Sequence, residues 1–264
     1  MQLPVSASLG TLIVLDETGS TNEEMIERHS MAADFTVVAT ASQTAGRGRL
    51  GRVWVAPPGK TLAASVLVRP VLPGGRPLGI DSFGWLPLIA GVAMARSIGA
   101  LVPARTTTLK WPNDVLIDGR KVCGILAELL PGGTAVVIGT GVNLSLTEAE
   151  LPVPTATSLL LAGAEIEGDH LADAVLSGYL RSMRELLPSF SAAGGDASAS
   201  GILDLVSEAC STLGQDVRVE LPGGADLFGV ATGIDATGRL VVRRTSDGRV
   251  QAVAAGDVTH LRYE

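Results

Sequence analysis

Followed for its alternation of apolar and polar positions, the chain opens on a short buried strand, "TLIVL" at Thr11–Leu15. Ser20 with Glu23 three residues later has the pattern of a capping box and predicts a helix running to about Ser30. "FTVVAT" (Phe35–Thr40) reads as a second strand, and "TLAASVLVRP" (Thr61–Pro70) as another, stopped by its proline. Phe83–Ile98 is apolar and rich in small residues, which predicts a buried helix. The dense stretch from Thr106 to Leu144 reads as three antiparallel strands, with turns at Asp118-Gly119 and Pro131-Gly132-Gly133.

Asp169–Leu187 places Leu171, Val175, Leu176, Leu180, Met183 and Leu187 on one helical face. Ser189–Ser200 has the composition of a flexible connection, and Gly201–Leu213 reads as helical. From Gln215 the pattern becomes short strands punctuated by Pro-Gly-Gly, Thr-Gly and Asp-Gly turns, which predicts a small closed β-barrel. The expected fold class is therefore α+β. A mixed or antiparallel sheet packed with helices should span 1–213, and a small barrel 214–264.

Composition narrows the function classes. Hydrophobic residues make up 46% of the 264 positions but aromatics only 3%, so Ala, Val, Leu and Gly must fill the core. A net charge of −7 argues against a general nucleic-acid binder, which would need a basic face. Cys123 and Cys210 lack metal-ligand spacing and are expected as reduced, buried thiols. No secretory signal and no uninterrupted apolar span are seen, so a cytoplasmic protein without membrane attachment is expected. His29, His170 and His260 are scattered and receive no catalytic role.

Against this acidic background, "TAGRGRLGRVW" (Thr44–Trp54) stands out. Gly46, Gly48 and Gly51 match G-x-G-x-x-G, but a dinucleotide fold would also need a helix starting in the motif and an acidic residue about 20 positions on. Two prolines follow instead, and no Asp or Glu occurs between Asp34 and Asp81. "PPGKT" (Pro57–Thr61) fails as a phosphate loop because Trp54 stands where glycine is required. What remains is a glycine-softened loop carrying Arg47, Arg49 and Arg52, whose planar forks suit phosphate or carboxylate oxygens. Such a loop is expected to be mobile when empty and ordered by an anionic ligand.

A second constellation lies in "KWPNDVLIDGRKVCGI" (Lys110–Ile125). Pro112 biases Trp111 towards extended backbone and sets Asn113 and Asp114 at a strand junction. Alternation puts Lys121 and Cys123 on one face, while Gly124 allows close approach of a ligand or backbone. "GTGVN" (Gly139–Asn143) again combines glycines with an amide at a strand end.

With Gly-Arg-Gly-Arg-x-Gly-Arg-x-Trp at Gly46–Trp54, Lys-Trp-Pro-Asn-Asp at Lys110–Asp114, Lys-x-x-Gly-Ile at Lys121–Ile125 and Gly-x-Gly-x-Asn at Gly139–Asn143, the chain resembles the biotin–protein ligases, also called biotin–acetyl-CoA-carboxylase ligases. Ser20–Asn22 and Gln43 fit the same pattern, and the likeness spans roughly residues 10–205 and the small barrel. It implies a class II synthetase-like ligase domain of the monofunctional class. Strand-like sequence from about residue 11 leaves no room for the N-terminal DNA-binding domain of the repressor class, so no DNA partner is expected. Leu50 occupies a loop position often charged in relatives, and a homodimer is left open.

The resemblance implies two steps. Biotin's carboxylate attacks the α-phosphorus of ATP to give biotinoyl-5′-AMP and pyrophosphate, and a lysine of a biotin carboxyl carrier domain then displaces AMP. Arg47 and Arg49 are expected to hold the two anions together, with Arg52 aiding phosphate binding. Lys121 is expected beside the reacting carboxylate and α-phosphate. Asp114 is expected to orient Mg²⁺ or the incoming amine. Ser20, Thr21, Asn22 and Gln43 would serve the ureido ring, Trp54 would wall the ring or the adenine, and Asn143 would contact the nucleotide. Gly46, Gly48, Lys110, Asn113, Gly124 and Gly141 complete the expected substrate site. The nearest rival is a lipoate–protein ligase, against which the arginine loop speaks. A nucleotide-binding module without catalysis is the rival of another class.

Overall fold

The computed structural model describes residues 1–54, 56–221, 224–254 and 256–260. In chain order the strands of the larger part are β1 (Leu12–Leu15), β2 (Val37–Thr40), β3 (Gly46–Arg47), β4 (Val53–Trp54), β5 (Thr61–Val68), β6 (Thr107–Lys110), β7 (Asp114–Ile117), β8 (Arg120–Leu129) and β9 (Val136–Asn143). Seven of them form one sheet in the order β1-β2-β5-β9-β8-β7-β6, and β3 pairs with β4 as a separate hairpin. Only the β1–β2 pair is parallel. The sheet is thus mixed, as the α+β expectation required.

The helices are α1 (Pro4–Ala7), α2 (Thr21–Arg28), α3 (Leu86–Leu101), α4 (Leu159–Ala162), α5 (Gly168–Ala192) and α6 (Ile202–Ala209). Helix α3 is apolar on almost every side because it is the central core helix, packed against α5 and the sheet. The helical run Ile80–Leu101 that contains it is long and apolar enough to cross a membrane, but most of it is buried within the fold. Helices α3 and α5 cross closely at Gly178, where an added Cβ would lie 2.5 Å from Ser97 Oγ. Ser97 donates a 2.7 Å hydrogen bond to the Val175 carbonyl at the same crossing.

Several local expectations are corrected. Ser20 does stand at the N-cap of α2, but no side-chain capping bond forms. Gln43 Oε1 accepts from the Thr21 N–H at 2.9 Å instead, so a distant residue caps the helix. The stretch Thr106–Leu144 holds four strands rather than three. Pro112 brings no N–H to a ladder, and the chain reverses there, with Asn113 N donating to Lys110 O at 3.1 Å. The Trp111–Pro112 peptide is cis. Helix α5 runs through Pro188 to Ala192, into the segment expected to be flexible, because Leu186, Leu187 and Phe190 are buried in the core. Helix α6 is shorter than expected and ends at Ala209; Cys210 follows in extended backbone and bridges to Leu109.

The C-terminal part comprises β10 (Asp216–Glu220), β11 (Asp226–Ile234), β12 (Leu240–Arg244), β13 (Val250–Val253) and β14 (Asp257–His260). It is an antiparallel sheet in the order β13-β12-β11-β10-β14, not a closed barrel. The sequence expected as one last strand divides into β13 and β14. They lie on opposite edges, and no pairing joins those edges among the described residues. Two indoles key this sheet to the larger part: Trp85 Nε1 donates to Ala236 O at 2.9 Å and Trp111 Nε1 to Gly238 O at 3.1 Å. Val217, Val219, Leu227, Val242 and Val253 belong to the same continuous core as the larger part.

Candidate active site

The pocket is built on the β8–β9 pair. Their register sets Gly124 opposite Gly141 and Leu126 opposite Gly139, so glycines line one face of the sheet. On that face lies the Trp54 indole, brought over by the β3–β4 hairpin. A Cβ at Gly141 would sit 2.8 Å from Trp54 Cε2, and one at Gly124 would sit 3.4 Å from Trp54 Cζ3. A Cβ at Gly139 would collide with the Asn22 amide. These glycines are there because the side chains of Trp54 and Asn22 occupy their space.

Lys121 corrects a second expectation. Cys123 pairs with Val115 and Lys121 with Leu116, so Val122 is an extra residue in β8. This bulge reverses the local alternation. Lys121 Nζ lies 3.2 Å from the position of a Gly124 Cβ, on the pocket face, whereas Cys123 turns into the core. Burial there pushes the Cys123 thiol well above its ordinary range, so it is no nucleophile.

Lys121 Nζ forms an ion pair with Asp114 Oδ1 at 2.7 Å. Around this pair stand further cations. Burial lowers the pKa of Arg49, offset by attraction to Asp114 and reinforced by repulsion from Arg52. Burial likewise lowers that of Lys110, where Asp114 opposes the shift and Lys121 and Arg52 add to it. One carboxylate thus offsets Lys121, Arg49 and Lys110, and Arg52 adds its charge beside the last two, a field that favours an added anion. Arg49 is held in place: its Nη1 donates to Asn113 Oδ1 at 3.1 Å and to Gly256 O at 3.4 Å. Asn113 Nδ2 in turn donates to Ile125 O at 2.9 Å, tying the Lys110–Asp114 motif to β8.

At the other end the pocket is polar, and the charge beside it is paired, Arg47 with Glu128 and Glu23. Ser20, Thr21, Asn22 and Gln43 converge there. The Asn22 amide is already engaged, donating to Leu126 O at 3.2 Å and to Glu128 Oε2 at 2.6 Å, while its Oδ1 lies 2.6 Å from the Ser65 hydroxyl. It is better placed to shape this end than to bind a ligand. The Ser20 hydroxyl and the Gln43 amide N–H groups remain for that purpose.

Of the expected residues, Ser20, Thr21, Asn22, Gln43, Arg47, Gly48, Arg49, Arg52, Trp54, Asn113, Asp114, Lys121, Gly124 and Gly141 all line this one pocket. Gly46, Lys110 and Asn143 do not. Gly46 lets the hairpin close, since a Cβ would meet the Gln43 amide and lie 2.5 Å from Trp54 O. Asn143 is buried and donates to Thr157 O at 2.8 Å, bracing the end of β9. Lys110 acts on the pocket through its charge. The sequence reading missed Ser65, Thr140 and Glu128. Ser65 and Thr140 are isolated hydroxyls within apolar strands, and the signal that finds them is their place in the sheet register.

Residues 12–145 match the profile of the Biotin/lipoate A/B protein ligase family, and residues 212–261 that of the Biotin protein ligase C terminal domain. The chain belongs to the biotin protein ligase family. A Biotin--[acetyl-CoA-carboxylase] ligase from Mycobacterium tuberculosis is 39% identical over 95% of this chain and 89% of its own length. A ligase of the same name from Paracoccus denitrificans is 32% identical over 93% of this chain and 98% of its own. Among solved structures, the biotin protein ligase from Aquifex aeolicus in complex with biotin and ATP superposes with a TM-score of 0.74 at 26% identity, covering 96% of this chain and 99% of that one. The ligase fold thus includes the open C-terminal sheet as well as the pocket-bearing part.

Among the described residues no cluster of three or more acidic, His or Cys side chains could hold a metal by itself. Asp114 is the one carboxylate in the described pocket wall. That fits Mg²⁺ in its usual mode, held by one or two carboxylates and by substrate phosphates.

Proposed function

We propose that the protein activates biotin with ATP and then transfers the biotinyl group to a lysine on the biotin carboxyl carrier domain of a carboxylase. The carrying observation is the two-ended pocket. Lys121, Arg49 and Lys110 interact with Asp114 at one end, with Arg52 beside them, and polar groups with a paired Arg47 line the other. A biotin ureido ring suits the polar end, where Ser20 and Gln43 offer hydrogen bonds. Its carboxylate then points towards the cationic end, where the nucleotide phosphates belong. Trp54, lying flat on Gly124 and Gly141, supplies an aromatic wall between them.

The chemistry follows from charge. A carboxylate and a triphosphate repel each other, and guanidinium and ammonium groups offset that repulsion as the carboxylate oxygen bonds to the α-phosphorus and pyrophosphate leaves. Lys121 stands where charge develops on the acyl phosphate. Asp114 keeps the Lys121 ammonium aimed into the pocket. In the second step it is the nearest carboxylate to receive the proton that the carrier lysine gives up on attacking the anhydride carbon. Mg²⁺ on the phosphates, with Asp114 as its protein ligand, would supply further neutralisation of charge. No DNA or membrane enters this reading, and a homodimer is not required by it.

The test is direct. The protein is incubated with ATP and either biotin or lipoate, and pyrophosphate is followed. Release with biotin alone supports the reading; release with lipoate alone reassigns the substrate; release with neither leaves a binding module.

A further inference from the structure

Strand β8 turns Gly124 and Leu126 to the pocket, and Glu128 follows them on the same face of the strand, just past the pocket lining. Glu128 stands at the end of that row, and its carboxylate is committed twice. Oε2 accepts from Arg47 Nη2 at 2.9 Å and from Asn22 Nδ2 at 2.6 Å. Arg47 Nε also lies 3.4 Å from Glu23 Oε1 on helix α2. The Glu128 side chain is 25% exposed and that of Glu23 53%, and the Glu128 contact is also the shorter, so Glu128 is the closer and more buried partner. Arg47 lies on the β3–β4 hairpin and Glu128 on the main sheet. Their ion pair is therefore a bond between the loop and the body of the protein.

An anion that recruits the Arg47 fork must take it from a carboxylate. Asn22 fixes that carboxylate, and Ser65 and the Leu126 carbonyl fix Asn22 in turn. Glu128 cannot easily swing away, so the exchange is a competition at Arg47 rather than a rearrangement of the sheet. Resting on the reading of Arg47 as a ligand clamp, we propose that Glu128 sets the pocket's affinity for anionic ligand by competing with it for the Arg47 guanidinium. The device keeps Arg47 from binding stray anions when the site is empty. It also shortens the residence of the activated intermediate once formed.

The test is a double-mutant cycle on the full chain. A non-hydrolysable biotinyl-adenylate analogue that keeps the phosphate is titrated calorimetrically into wild type, Glu128→Gln, Arg47→Ala and the double variant, with melting temperatures confirming folded protein. Glu128→Gln should tighten binding by about fivefold, the scale of a partly exposed ion pair, and should change nothing in the Arg47→Ala background. Glu128→Asp withdraws the carboxylate by one methylene. It should move affinity the same way by a smaller factor, and it stands in if the Gln variant does not fold. Unchanged or weaker binding in Glu128→Gln, while Arg47→Ala still weakens binding, overturns the competition. So does a tightening that persists without Arg47. If Arg47→Ala leaves affinity unchanged, the clamp reading itself fails.

Discussion

Lys121 and Asp114 meet across neighbouring strands at 2.7 Å because a bulge in β8 swings the lysine to the pocket face. Regular alternation would have left Lys121 beside Cys123, facing the core. The one-residue irregularity thus turns a core-facing position into a pocket-facing one, paired there with a carboxylate.

Replacing Lys121 by Met removes the charge while keeping most of the stem. The expected loss in the rate of pyrophosphate release is about 10²–10³-fold, typical for deleting one group that stabilises developing charge. The effect should fall on kcat more than on the KM for biotin, as steady-state kinetics would show. An equal rise in both KM values with kcat untouched would make Lys121 a binding group only.

Gly141→Ala tests the Trp54 wall. The new methyl would lie 2.8 Å from Trp54 Cε2 and 2.9 Å from Cζ2, so the indole must lift away. Trp54 sits on a hairpin, and the fold should adjust at a cost of about 1–3 kcal/mol. Nucleotide affinity should drop at least several-fold, with a shift in tryptophan emission. Native emission and unchanged KM for ATP would contradict the stacked arrangement.

The two thiols give a pH signature. Burial raises the Cys123 and Cys210 pKa values above their ordinary 9.0, and burial raises that of Tyr179 as well. Folding therefore keeps protons that the unfolded chain loses, and stability is full below pH 9 and declines as pH climbs beyond it. Urea melts at pH 7, 9 and 10 should show that order. Native protein at pH 8 should give no reaction with a thiol reagent, and two thiols after unfolding.

Trp85→Phe tests the attachment of the C-terminal sheet. It removes the 2.9 Å bond to the Ala236 carbonyl and leaves that acceptor unpaired. The expected loss is about 1–3 kcal/mol in a urea melt. No loss would mean that packing alone holds the sheet in place.

The larger elements were legible because each is a long, consistent pattern. The apolar run that became α3 and the period of α5 needed no tertiary information. The candidate site was legible for a different reason: its cations cluster in short motifs of an acidic chain, interleaved with glycines. What stayed hidden depended on partners distant in sequence. Gln43 displaced Ser20 as the cap of α2, and the bulge at Val122 shows only in the register with β7. Glu128 is one acidic residue in a largely apolar strand, and only the folded hairpin brings Arg47 to it. Among the described residues the C-terminal strands do not close, because edge pairing is not written in turn residues.

The central claim is that guanidinium and ammonium groups at one end of the pocket hold an acyl phosphate over the β8–β9 glycines. A crystal structure of the protein with a non-hydrolysable biotinyl-adenylate analogue tests it most directly. The expected result places phosphate oxygens within hydrogen-bond distance, about 3 Å, of Lys121 Nζ and at least one of the Arg47, Arg49 and Arg52 guanidinium groups. Those side chains turned to bulk water, with the phosphate bound elsewhere, would contradict it.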